Sequence, residues 1–150
     1  MRKVAIFIFF MLSSLLAMGQ TACCDSVFHT YVYNDEYQVY LDIDLYAQNV
    51  TVPGQEVLGA MCGYFGAVRD SRKWLITSAK VDGGTKAELE IVNDYGSEDL
   101  TATLTYCPDG NRYVLRQTGG SRLRIVVNRK WVKLPNELTF TPHVRVRNAY

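Results

Sequence analysis

Between Lys73 and Val127 the chain runs in short stretches where apolar and polar residues alternate, broken by turn-forming residues at close spacing. In Ala87-Glu88-Leu89-Glu90-Ile91 the odd positions are apolar and the even ones charged. In Leu100-Thr101-Ala102-Thr103-Leu104-Thr105-Tyr106 the even positions are apolar and the odd ones threonine. A period of two sends successive side chains to opposite faces of a strand, so each stretch has one dry face and one wet face. The breaks are Asp82-Gly83-Gly84, Asn93-Asp94-Tyr95-Gly96-Ser97, Cys107-Pro108-Asp109-Gly110-Asn111 and Thr118-Gly119-Gly120-Ser121. Glycine supplies positive φ in these segments and Pro-Asp-Gly favours a reversal, which predicts hairpin connections and a β-meander.

The same period extends both ways. Val39, Leu41, Ile43 and Leu45 alternate with Gln38, Tyr40, Asp42 and Asp44, which predicts a first secure strand over Tyr37 to Tyr46 with both aspartates on a solvated outer face. Cys23 to Glu36 shows no clean period and reads as a loop or an edge strand leading in. Val57 to Val68 holds Gly59, Gly63 and Gly66 in an apolar run, the pattern of a buried, bent strand. Trp74 and Ile76 continue the alternation. Beyond the meander come Tyr113 and Leu115 between arginines, then Leu123, Ile125 and Val127, a short strand over Glu137 to Thr141, and Val144 with Val146 as a closing run. No sustained helical period is visible. The prediction is an all-β fold over residues 37–147: a single antiparallel meander of about eight strands closing into a small barrel or sandwich.

Charge bears on closure. Gln20 to Asn111 carries 14 acidic and 5 basic residues, whereas Arg112 to Tyr150 carries 1 acidic and 9 basic. Opposite charges on outward sites of the first and last strands favour their pairing, and closure removes two exposed edges. This predicts Asp42 and Asp44 beside the C-terminal arginines, with Val144 and Val146 turned inward. A barrel of eight strands with Gly63-Tyr64-Phe65 early in the sheet resembles the lipocalin and related calycin families in general plan. Those families carry tryptophan at the third position of that triplet, where this chain has Phe65. The resemblance implies a fold plan over Tyr37 to Arg147, and a fold alone does not carry a function.

Compartment is read from the N-terminus. Arg2 and Lys3 precede an apolar run from Val4 to Leu12 and the small-residue pattern Ala17-Met18-Gly19, the order of a secretory signal peptide over residues 1–19 cut before Gln20. The apolar run is shorter than the about 20 residues a membrane span needs, so no transmembrane span is expected after cleavage. The expected location is secreted or periplasmic, the alternative being a lipid anchor on Cys23. Cys23, Cys24, Cys62 and Cys107 all follow the cut, and an even count in an oxidising compartment predicts disulfides. Neighbouring cysteines seldom pair with each other, so residues 20–36 are expected to be tethered to the barrel through Cys62 and Cys107, with connectivity open.

Candidate chemistry is sparse. His29 and His143 stand at opposite ends of the mature chain, and neither the cysteines nor the histidines have metal-ligand spacing, so no catalytic, cofactor or metal residue is assigned. Asp42 and Asp44 share a strand face as a glycosidase pair does, but a solvated outer face is the better reading, because their neighbours Leu41, Ile43 and Leu45 take the core. Tyr106, Tyr113 and Trp74 occupy core-phase positions. Arg112, Arg116, Arg122 and Arg124 are expected on one face of adjacent hairpin strands, either a sheet face salt-bridged to the acidic strands or a candidate binding face for an acidic glycan, lipid headgroups or an acidic protein surface. Near-neutral total charge and export argue against nucleic acid. The expected function is an exported, non-enzymatic β-domain that binds a small molecule, a glycan or a protein partner. The alternatives are a structural or inhibitory envelope-associated module and, third, a small hydrolase. Oligomeric state is not legible.

Overall fold

A computed structural model describes residues 26–145; the signal-peptide region, Cys23, Cys24, Val146 and Arg147 lie outside the described residues. The strands are β1 (His29–Asn34), β2 (Val39–Asp44), β3 (Val50–Thr51), β4 (Ala60–Met61), β5 (Gly63–Ala67), β6 (Asp70–Asp82), β7 (Lys86–Asn93), β8 (Asp99–Cys107), β9 (Arg112–Gly120), β10 (Arg124–Val127), β11 (Lys130–Lys133) and β12 (Glu137–Pro142). Eight of them close an antiparallel barrel in the order β1-β12-β9-β8-β7-β6-β5-β2. Once two small ribbons, β3-β4 and β10-β11, are set aside, every neighbour in the ring is a neighbour in sequence except the closing pair β1-β12, first strand on last, so the barrel is an up-and-down meander. No helix among the described residues is long and apolar enough to cross a membrane.

The alternation does what its period requires. Ala87, Leu89, Ile91, Leu100, Ala102 and Leu104 are buried, while Glu88, Glu90 and Thr101 between them are exposed. One continuous apolar cluster fills the interior, with Phe65, Phe140, Leu41, Ile43, Ile76 and Leu115 among its fully buried members. Val39, Trp74 and Tyr113 are buried in it as well, and Tyr106 packs against it. Both mouths are covered. At one, Phe28 packs edge-on to Tyr113 at 6.3 Å, and the Tyr113 hydroxyl donates to the Val27 carbonyl at 2.7 Å. At the other, Leu123, Ile125 and Leu134 of the β10-β11 segment are buried in the same cluster.

Three elements differ from expectation. Residues 29–34, read as part of a leading segment, form a full barrel strand, and this strand closes the ring on β12 through Val32↔Pro142 and Tyr33↔Thr141. Its period was hidden because its outward positions are Tyr31 and Tyr33 rather than charged residues. The run after Pro142 is not a barrel strand within the described residues: Val144 is 83% exposed, not inward. Residues 57–68 divide into β4 and β5, with Val57 exposed in a short 3-10 turn ahead of them. Two of the three glycines there, Gly63 and Gly66, mark close approaches, whereas Gly59 has nothing within 4 Å of its Cβ position and takes a φ of 79°. A Cβ on Gly66 would lie 2.5 Å from the Tyr40 ring, and one on Gly63 would meet the Asp42 carbonyl and come 2.7 Å from Ile43 Cγ2.

Candidate functional site

The four candidate arginines do not share one face. Arg112 and Arg116 point outward from β9, and Arg116 is engaged with Glu137 on β12, Nη2 to Oε2 at 2.6 Å. Arg122 precedes β10 and donates through Nε to the Leu134 carbonyl at 3.1 Å, bracing the base of the ribbon. Arg124 lies on β10 and ion-pairs with Glu98, which precedes β8. The sequence alternation placed all four on outward positions but carried no information that β10 leaves the barrel wall.

That departure builds a surface site. Asn128 and Arg129 form a two-residue turn with φ of 51° and 64°, the left-handed pair of a type I′ hairpin, so β10 and β11 make a tight ribbon. The ribbon leans on the barrel through side chains: Trp74 Nε1 donates to the Arg124 carbonyl at 3.2 Å, and Asp70 Oδ2 accepts from the Val126 amide at 2.7 Å. With Ile125 turned into the core, the opposite face presents Arg124 and Trp131. Trp131 is 55% exposed and receives two guanidinium groups, Arg124 at 4.7 Å and Arg72 at 4.9 Å from its ring centroid. Tyr95, 71% exposed, accepts a hydrogen bond from Arg72 Nε at 3.4 Å. Trp131, Arg72, Arg124, Glu98, Asp94 and Tyr95 enclose a cleft of about 20 Å³, the size of a single water. Burial pushes the neighbouring Lys73 ammonium pKa down. Trp131, Arg72 and Tyr95 escaped the sequence reading because they come from three distant segments; the signal that was available is the aromatic inside Lys130-Trp131-Val132-Lys133 after a two-residue turn.

A second polar cluster covers the outside of β2. Asp42 and Asp44 point outward, yet both are buried, Asp42 to 4% exposure, which corrects the expected solvated face. The β3-β4 ribbon and the rings of Tyr40 and Tyr64 lie over this part of the wall, where Val52, Tyr64 and Leu75 form a small apolar cluster of their own. Asp42 accepts from the Tyr64 hydroxyl at 3.3 Å and ion-pairs with Arg145, so an aspartate of β2 does meet a C-terminal arginine, though not by strand pairing. Burial, then the Asp42 charge, raise the Tyr64 pKa; burial, Tyr40 and Asp42 push Tyr31 up to about 12. Asp44 caps the following turn, accepting from the Tyr46 and Ala47 amides at 3.1 and 2.9 Å, and His29 Nε2 stands 3.8 Å away. Both carboxylates thus hold structural contacts. His143 lies against the Tyr33 ring, tilted, with centroids 5.3 Å apart.

Cys62 and Cys107 are free thiols in this structure. Cys62 is buried between β4 and β5, where burial raises its pKa, and Cys107 ends β8. Cys23 and Cys24 fall outside the described residues. No group of three or more histidine, cysteine or acidic residues among those described is placed to hold a metal ion. No protein-family model, no curated protein and no solved structure matches this chain.

Proposed function

We propose that the protein is an exported, non-enzymatic interaction domain whose barrel is a scaffold and whose contact surface is the basic aromatic patch around Trp131. The observation that carries this reading is a division of roles. Apolar side chains occupy the barrel interior and both mouths, while two arginines, a tryptophan and a tyrosine from three segments converge on the outside. Exposed aromatic and arginine side chains are the residue types that dominate protein recognition sites. The outward residues of β7 and β8 are mostly charged or threonine, Glu88, Glu90, Asp99 and Thr101 among them, opposite to the apolar girdle a membrane barrel presents, which supports a soluble exported domain.

Export also bears on the cysteines. Leu45 donates to the Phe28 carbonyl and Asp44 to the Cys62 carbonyl, and Phe28, Tyr113 and Tyr106 touch in series towards Cys107. The chain therefore enters the fold at the mouth that also carries Cys62 and Cys107. In the oxidised protein, Cys23 and Cys24 are proposed to bridge to these two.

The test is native mass spectrometry of the processed protein, followed by binding of a polyglutamate and a sulfated polysaccharide to wild type and to Trp131→Ala with Arg72→Ala. Expected are a mass free of any small molecule and at least one polyanion whose binding falls about tenfold in the double variant. A stoichiometric apolar ligand, or binding indifferent to both substitutions, overturns the proposal.

A further inference from the structure

We infer that the open edge of β11 takes up an extended, acidic segment of a partner protein as an added strand. The inference rests on the surface reading above and names the partner's chemistry. Its geometry comes from the ribbon's hydrogen-bond phase. Leu134 donates to the Leu123 carbonyl, so the pairs Ile125↔Val132 and Val127↔Lys130, two and four residues on, are the hydrogen-bonded ones. The backbone groups of Arg124, Val126, Trp131 and Lys133 then point away from the ladder. On the β10 side those groups are used, by Trp74 and Asp70. On the β11 side, the N–H and C=O of Trp131 and Lys133 face an edge that no strand among the described residues pairs with, and all of β11 is exposed. Such an edge is a template for a further strand.

Charge selects the occupant. Arg129, Lys130 and Lys133 line this edge, and none of the ion pairs among the described residues engages them, whereas Arg72 and Arg124 are held by Asp70 and Glu98. Lysines on an edge commonly serve to discourage association. A strand whose side chains alternate acidic and apolar answers that unpaired charge, setting its carboxylates on the face that Trp131 and Lys133 share and its apolar residues along Val132 on the other. The described N-terminal end packs at the opposite mouth, where Phe28 meets Tyr113, and the described C-terminal end meets Asp42 on β2.

The probe is a blocked peptide of alternating glutamate and valine, with its lysine-valine counterpart as control, added to the full processed protein. Hydrogen exchange should show the Trp131 and Lys133 amides becoming protected by the acidic peptide alone, an experiment that needs no variant. Lys133→Pro removes an outward N–H while leaving the β10-β11 ladder intact, and should weaken the acidic peptide about tenfold or more; Lys133→Gln, which removes only charge, should weaken it about two- to fivefold. Unprotected Trp131 and Lys133 amides at millimolar acidic peptide, or equal binding by the proline variant, overturn strand addition. If a sulfated polysaccharide still binds through Trp131 and Arg72 in that case, strand addition fails while the surface reading stands; a small molecule bound inside the barrel removes both.

Discussion

The outer wall of β2 and the outer wall of β7 and β8 are written in the same code and end in different environments. Each alternates apolar with acidic or hydroxyl residues, and each turns the polar set away from the interior. Glu88, Glu90 and Thr101 stay in water, whereas Asp42 and Asp44 are buried beneath tyrosines and the β3-β4 ribbon. Alternation therefore decides which side of a strand a residue faces. Whether that side is wet depends on what else packs there. A covered polar face must satisfy its carboxylates internally, and Asp42 does so with a phenol and a guanidinium. An uncovered face leaves that work to solvent and its residues are individually cheap to change.

The largest effect that separates inside from outside is expected at Ile43. Ile43→Asp places an unpaired carboxylate in the filled interior, and should cost about 3 to 5 kcal/mol in a denaturant titration, close to the whole stability of a small domain. A wild-type-like midpoint would mean the interior admits water. Next comes the direct contrast of the two outer walls. Asp42→Ala strands the Tyr64 hydroxyl and should cost about 1 to 3 kcal/mol, while Glu90→Ala should stay within about 0.5 kcal/mol. Equal costs would erase the distinction between covered and open faces.

The covered wall should also be sensitive to alkali. Tyr31 titrates near 12 in the folded protein against about 10 for an ordinary phenol, and Tyr40 and Tyr64 are raised too, with burial the first cause for each. A raised folded-state pKa means the unfolded chain loses the proton first. The contribution is fully present below about pH 10 and is lost as pH rises towards 12. Circular dichroism along an alkaline titration should show unfolding in that window, shifted upward in Tyr31→Phe; an unchanged midpoint would show that the tyrosine layer is not coupled to the fold. The smallest effect belongs to Arg145→Ala. Its side chain is half exposed, so loss of the Asp42 pair should cost about 1 kcal/mol or less and shrink further in high salt. A loss matching Asp42→Ala would make the C-terminal arm an integral part of the wall.

Much of the barrel was legible from residue order. The meander over β6 to β9, the inward set Val39, Leu41 and Ile43, and the close glycine contacts at Gly63 and Gly66 all follow from period-two patterning and from the need for a missing side chain where backbones or rings approach. These are local consequences of strand geometry, so a sequence carries them. Three matters were settled only by packing. β1 became the closing strand although tyrosines on its outer positions blurred its period. The basic positions after Arg112 divided between β9 and a ribbon because Ile125, in phase with the meander, is drawn over the barrel mouth by the apolar cluster it completes. And the Trp131 patch exists because that same move carries β10-β11 to Arg72 and Tyr95, residues some 36 to 59 positions earlier in the chain. Periodicity reports each strand's two faces; which faces meet is decided by the burial of apolar surface across the whole ring, a long-range quantity that no window of sequence contains.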